Sequence, residues 1–341
     1  MRGDQIATAP TVSVIITCFN YAAYVAQAID SALAQTFTDI EIVVVDDGSA
    51  DASAEVIAAY GDRVKAVYQE NQGTIRACLA GLNRSTGKFI IFLDADDLLT
   101  PTALSEAAPF FDQSVSKIQF MLQPIDADGA DIGRPFPRAA NPFGSDTLKR
   151  EISRQGCYDT PPSSGNIYRR DVYTQLGSLA YDYGIDGVAY LLAPFIGRVH
   201  FIQKPLGKYR LHGSNLSGAG AMQAPRMRRD SEVFAKRLAH LCELLDKNGI
   251  DAGAIRPSGE YQYRLERLIH GRLVEGQSIP LRDRLAYLRS IIRERRGMDR
   301  VIYVVFGALS VFAPRKLALS MVGIRNDPAA YPRLRTIVAR R

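Results

Sequence analysis

Phe89-Ile90-Ile91-Phe92-Leu93 is an apolar run that ends in three carboxylates within four positions, Asp94, Asp96 and Asp97. Such a run reads as a buried strand. The acids then fall at the strand's C-terminal end, where open α/β sheets keep their ligands. Clustered carboxylates repel one another and resist joint ionisation unless a cation neutralises them. Hard divalent ions accept carboxylate oxygens together with phosphate oxygens of a substrate. The stretch therefore reads as a metal–diphosphate site. The competing reading is a solvated acidic turn that caps the next helix, with Thr100 and Pro101 as its N-cap and first residue.

The preceding chain repeats the pattern. Val12–Thr17 is apolar and β-branched and ends at Thr17-Cys18-Phe19-Asn20-Tyr21. Ile40–Val45 is a second buried strand closed by Asp46-Asp47-Gly48-Ser49. Helical spacing follows from Tyr24 to Leu33, over Asp51–Tyr60 and from Thr74 to Arg84, with a further strand at Val64–Tyr68. Strands alternating with helices predict a largely parallel sheet with right-handed crossovers. No glycine-rich phosphate turn follows the first strand, which argues against a dinucleotide-binding domain. A helix at Pro101–Phe111 and a strand near Ile118–Leu122 continue the sheet, and residues 124–145 form a Pro-, Gly- and Asp-rich excursion. Gly165–Arg170 reads as a strand, Tyr183–Asp186 opens a helix to about Phe195, and Val199–Ile202 and Pro205–His212 supply the last strand pieces before a loop at 213–218.

Beyond Gly220 the pattern turns helical and basic. Residues 1–221 carry 18 Lys/Arg against 24 Asp/Glu, and residues 222–341 carry 24 against 12. An acidic front suits a metal site, and a basic rear suits an anionic surface. The organisation expected is a disordered N-terminus at 1–10, a catalytic domain at 11–220 and a basic helical region at 221–341. Cys18, Cys78, Cys157 and Cys242 have no metal-ligand spacing and read as reduced thiols of a cytosolic protein. Met1–Pro10 has no apolar core of a signal peptide, and no run reaches the ~20 apolar residues of a membrane span.

Four motifs stand in order: Val-Ser-Val-Ile-Ile-Thr at 12–17, Val-Asp-Asp-Gly-Ser at 45–49, Asp-Ala-Asp-Asp at 94–97 and Tyr-Arg-Leu-His at 209–212. Together they resemble the family-2 glycosyltransferases of the GT-A fold over roughly residues 11–218. The resemblance implies an α/β, Rossmann-like, mostly parallel sheet flanked by helices. It implies an inverting transferase that moves a sugar from a nucleoside diphosphate, UDP by expectation, to an acceptor hydroxyl with Mn²⁺ or Mg²⁺. It places Thr17, Phe19, Asn20, Asp47, Asp94, Ala95 and Asp96 at the nucleotide-sugar. Arg76 stands in for the family's basic residue after Gly73, because the usual Ala-Arg-Asn is Ala77-Cys78-Leu79 here. Asp96 is the first choice of metal ligand, with Asp97 and His212 completing the set. Asp186 is the expected base: the family's Glu-Asp pair is Ile185-Asp186, and Asp182 is held in reserve. Ser164, Gly165, Asn166 and the 124–145 excursion are the expected acceptor wall.

The expected acceptor is a saccharide or lipid-linked saccharide of cell-surface polysaccharide or glycolipid synthesis. Other expected partners are an anionic membrane surface and a second copy of the chain; nucleic acid is not among them. A carboxylate-pair glycoside hydrolase, a nucleotidyltransferase and a non-catalytic nucleotide-sugar-binding subunit are the alternatives. A hydrolase needs neither two acidic strand ends nor a metal, and a nucleotidyltransferase would carry the missing basic glycine-rich loop. Val301–Ala313, flanked by arginines, is too short to span a bilayer. It is read as lying in the interface of the cytosolic membrane face, or else as a core or partner-packed helix.

Overall fold

The computed structural model describes residues 9–137, 144–212 and 223–326. Of the expected disordered N-terminus, residues 1–8 lie outside the described residues, as do 138–143 of the excursion and the loop at 213–218.

The chain forms two compact units, one of residues 1–149 and 159–212, the other of 150–158 and 213–341. The segment Arg150–Tyr158 thus belongs with the second unit, inside the span the sequence assigns to the catalytic domain.

In chain order the first unit contains β1 (Val12–Cys18), α1 (Val25–Leu33), β2 (Ile40–Asp46), α2 (Ser53–Ala58), β3 (Lys65–Tyr68), α3 (Thr74–Arg84), β4 (Phe89–Asp94), β5 (Leu98–Leu99), α4 (Ala103–Ala107) and β6 (Val115–Ile125). The helix α5 (Ser145–Gln155) leads out of it, and β7 (Asn166–Arg169), α6 (Arg170–Thr174), α7 (Ala189–Ile196) and β8 (Arg198–Arg210) complete it. The sheet order is β3-β2-β1-β4-β7-β6-β8-β5. Strands β3, β2, β1 and β4 are parallel, β7 runs antiparallel between β4 and β6, and β6 pairs parallel with β8. This is the largely parallel α/β sheet that alternating strands and helices predict, with a reversed strand inserted.

The strands that carry the site are buried on both faces, which is why they read as unbroken apolar runs. Val12, Val14, Ile15 and Ile16 of β1, Val43 to Val45 of β2 and Ile90 to Leu93 of β4 are all buried. Helix α3 lies close against them: a Cβ at Gly81 would sit 2.3 Å from the Ile15 methyl. Thr17 pairs with Val45 on one side and with Asp94 on the other. Register alone therefore brings the ends of all three strands to one line.

Several local expectations change. The helix expected at Pro101–Phe111 is α4 followed by a 3₁₀ turn at Ala108–Phe110, broken at Pro109. Thr100 does not cap it. Its amide and hydroxyl donate to the Leu206 carbonyl, because Leu98–Leu99 pairs with β8. The two strand pieces at 199–202 and 205–212 are one strand, β8, whose register against β6 shifts near Met121. Asp186 precedes α7 by three residues instead of opening it.

The second unit is helical: α8 (Ala224–Lys247), α9 (Gln262–Glu275), α10 (Leu281–Glu294), α11 (Gly297–Phe312) and α12 (Arg315–Asn326). Its core gathers Met227, Leu265, Ile269, Tyr287, Ile291 and Val311. No helix among the described residues is long and apolar enough to cross a membrane.

Candidate active site

Asp94, Asp96 and Asp97 converge as the sequence predicts: one ligand atom from each lies within 4.8 Å of the others. The turn is held by segments far away in sequence. The Asp94 amide donates to the Ser164 hydroxyl oxygen at 3.2 Å, and that hydroxyl donates to Asp97 at 2.6 Å. The other Asp97 oxygen accepts the Arg210 amide at 2.9 Å. Asp97 is fully buried, so these bonds replace the water it has lost.

The motif at 209–212 closes back on the acids. Arg210 is fully buried; its Nε donates to the Asp96 carbonyl at 2.9 Å, and Nη2 donates to Gln27 at 2.8 Å. Its guanidinium lies 4.8 Å from the Tyr24 ring centroid. His212 Nε2 is 2.9 Å from Asp96 Oδ2, and its ring stacks on Tyr24 at 5.2 Å. Asp96 is thus the acid that His212 meets directly, and Asp97 is the one that anchors the turn.

The electrostatics carry a demand. Burial, with Asp96 and Asp186 nearby, lifts the Asp94 pKa to about 7. Asp97 is likewise raised, by burial first and then by its two acidic neighbours. Carboxyls held this way are costly to ionise together, and a divalent cation relieves that cost. The donor set is all oxygen with one imidazole at its edge, which fits Mg²⁺ or Mn²⁺.

The other expected nucleotide residues lie along the same edge. Thr17, next to last in β1, pairs with Asp94. Phe19 is 42% exposed. Asn20 has φ near 60°, a left-handed conformation that Asn tolerates, and its side-chain oxygen accepts the Ala50 amide at 2.7 Å. Asn20 therefore clamps the loop after β1 to the loop after β2. Asp47 accepts from Gln69 Nε2 at 2.7 Å and from the amides of Gln72 and Gly73 at 2.9 Å. It fixes the turn from which α3, with Arg76 exposed in its first turn, begins. Ala95 is buried within the acidic turn.

Asp186 is half-buried, and its charge is among the causes that raise Asp94. It accepts the Tyr173 hydroxyl at 3.1 Å and Asn166 Nδ2 at 3.3 Å. Asp182, the reserve acid, instead accepts the amides of Tyr183 and Gly184 in its own loop.

The acceptor wall needs correction. Ser164, Gly165 and Asn166 are all buried. Ser164 serves Asp94 and Asp97, and Asn166 serves Asp186 and the Pro161 and Pro162 carbonyls. They support the carboxylates from behind and present no open face to an acceptor.

Sequence reading missed Tyr173, Lys117 and the structural use of Arg210. Lys117 is fully buried on β6, donating to Thr160 at 2.6 Å and to Gln119 at 2.8 Å. The available signal was the polar set Ser116, Lys117 and Gln119 inside a strand otherwise read as apolar.

The sequence model of the family "Glycosyl transferase family 2" matches residues 13–175. An uncharacterised glycosyltransferase of Nostoc sp. is 37% identical over 223 residues, which is 62% of this chain and 68% of that protein. An uncharacterised glycosyltransferase of Rickettsia prowazekii is 43% identical over 95 residues, 28% of this chain and 30% of the relative. Among solved structures, S. aureus TarS residues 1–349 in complex with UDP-GlcNAc aligns with a TM-score of 0.55 and 17% identity, over 91% of this chain and 89% of that one. That likeness is one of fold.

Proposed function

The chain belongs to the family-2 glycosyltransferases, and from that premise we propose that it transfers a sugar, with inversion, from a nucleoside diphosphate to an acceptor hydroxyl. The observation that carries this reading is the meeting of Asp94, Asp96 and Asp97 at the carboxyl ends of parallel strands, with Asp186 near enough to act on the same charge. UDP is the first nucleotide to test, since the fold neighbour TarS is described in complex with UDP-GlcNAc.

Each part of the chain then has work. Thr17, Phe19, Asn20, Asp47 and Arg76 line the edge on which the base and ribose lie, and Asp94, Ala95 and Asp96 meet the ribose and diphosphate. Asp96 would hold a Mn²⁺ or Mg²⁺ ion, with Asp97 and His212 beside it. Bound there, such an ion would supply polarisation of the diphosphate and stabilisation of the leaving group's charge. Asp186 takes the acceptor's proton as the acceptor oxygen bonds to the anomeric carbon. The bond from that carbon to the diphosphate breaks, and its electron pair leaves with the diphosphate. Tyr173 and Asn166 aim the Asp186 carboxylate by donating to it. Calorimetric titration of UDP is the test: heat of binding is expected with Mn²⁺ and its loss with chelator. Equal binding in both conditions would remove the metal from the reading.

The acceptor we propose is a saccharide or lipid-linked saccharide reached at an anionic membrane surface on the cytosolic side. The support lies on α10 and α11. Gly307 lets them pack closely, since a Cβ there would sit 2.6 Å from Ile291. Away from that contact, Leu281, Leu285, Ile292, Met298, Val301 and Val305 are exposed. Arg282, Arg289, Arg293, Arg296 and Arg300 are exposed around them, while Asp283, Glu294 and Asp299 are not fully exposed. At about 24 Å, α11 is too short to cross ~30 Å of hydrocarbon but suits the interface. The arginines disfavour a face-to-face second copy, where like charges would meet. Each is worth about 1 kcal/mol near an anionic surface. The chain is expected to float with phosphatidylserine vesicles at low salt and to detach at high salt. Val301→Glu with Val305→Glu should abolish flotation, as both side chains are over half exposed, at 56% and 54%. A parent chain that stays in the soluble fraction at low salt would refute the membrane partner.

A further inference from the structure

We propose that Lys117 is a positioning residue for the base: held behind Asp186 through Thr160 and Asn166, its ammonium keeps the Asp186 carboxylate ionised and aimed until the acceptor's proton arrives. The inference rests on the reading of Asp186 as the base.

The path is continuous. Lys117 Nζ donates to the Thr160 hydroxyl at 2.6 Å. That hydroxyl donates to the Asn166 side-chain oxygen at 3.1 Å, and Asn166 Nδ2 donates to Asp186 at 3.3 Å. Three separate segments supply the participants, so the network is specific to the folded state. An ammonium with no exposure to water is rare unless paired, and fixing its stem in one rotamer costs up to ~2 kcal/mol. A structural strand position would ordinarily be filled by an apolar side chain at no such cost.

Lys117 brings a positive charge to this network. Asp186 is approached by the Tyr173 hydroxyl from α6, the Cys78 thiol from α3 and the Asp94 carboxyl from β4. Burial pushes Tyr173 and Cys78 well above their ordinary ranges, so both stay neutral at working pH. Lys117 itself faces the rings of Tyr168 at 5.4 Å and Tyr190 at 5.8 Å, which suit a cation. Burial pulls its pKa down to about 7, and the Asp186 charge opposes that fall. Each charge thus sustains the other. When Asp186 takes a proton, its hold on the Lys117 ammonium weakens, and recovery of that ammonium favours return of the proton from Asp186 to solvent.

The sign of the test follows. Removing a cation near a carboxylate raises the carboxylate's pKa, so the acidic limb of the kcat–pH profile must move to higher pH. The full chain is assayed with UDP-N-acetylglucosamine, or with whichever donor of a UDP- and GDP-sugar panel releases more nucleoside diphosphate. Mn²⁺ and donor are saturating, so that kcat reports the loaded enzyme. Lys117→Met is expected to move the acidic limb up by about one unit and to lower kcat on that limb ~10-fold, with donor KM unchanged. Lys117→Arg should restore the limb because it restores the charge. Should either variant fail to fold, Thr160→Val breaks the link while keeping the shape, and a smaller shift in the same direction is expected. An unmoved limb in a folded Lys117→Met or Thr160→Val variant overturns the inference, as does a rise in KM matching the fall in kcat. Asp186→Asn separates the two claims. Near-normal kcat in that variant overturns the base reading itself, whereas its loss beside an unmoved Lys117→Met profile overturns the role of Lys117 alone.

Discussion

Asp186→Asn is expected to bind donor as the parent chain does and to turn it over ~10²–10⁴-fold more slowly, the usual worth of a general base. The amide keeps the size of the carboxylate and can still accept the Tyr173 hydroxyl that reaches Asp186 at 3.1 Å. It cannot take a proton. It also turns a donor toward Asn166 Nδ2, which sits at 3.3 Å, unless one amide flips. That conflict costs less than the lost chemistry, because Asn166 keeps its bonds to the Pro161 and Pro162 carbonyls. Kinetics separate the outcomes. A fall in kcat at constant donor KM marks a group used only in the transition state. A fall in donor affinity as large as the fall in turnover would make Asp186 a structural residue.

What the sequence shows of this site, and what it hides, follows from how local each signal is. The acidic turn is legible because its apolar run and its carboxylates are contiguous, Phe89 to Asp97. The parallel sheet is legible for the same reason, since each strand end carries its own punctuation. Leu98–Leu99 is not, because its pairing to Gly207 and Lys208 comes from more than a hundred residues away. The Lys117–Thr160–Asn166–Asp186 network has no sequence period at all; only tertiary packing brings β6, β7 and the segment before α7 together. Ser164, Gly165 and Asn166 mislead in the opposite sense. Small and polar residues before a strand read as an open wall, yet here they are buried and consumed by neighbouring carboxylates. The motif at 209–212 announces His212, while the work of Arg210 emerges only from its bonds to Asp96, Ala127 and Gln27.

Asp96→Ala is expected to remove transfer by about 10³-fold or more, the equivalent of several kcal/mol of charge stabilisation. The fold should survive. Asp96 meets the His212 ring at 2.9 Å. Asp97 is different, because the Ser164 hydroxyl and the Arg210 amide both donate to it in the interior. Asp97→Ala should lose activity and stability together, by about 1–3 kcal/mol for each buried donor left unpaired. Thermal melts of the two variants measure the contrast. Similar destabilisation in both would mean that Asp96 is no more than a part of the scaffold.

The most direct measurement is release of nucleoside diphosphate by the full chain over a panel of UDP- and GDP-sugars, run with Mn²⁺, with Mg²⁺ and with chelator, and repeated with Asp96→Ala. The account predicts release from at least one donor with either ion, none above background with chelator, and none from the folded Asp96→Ala variant. Release that is unaffected by chelator, or that persists at the parent rate in Asp96→Ala, would contradict it.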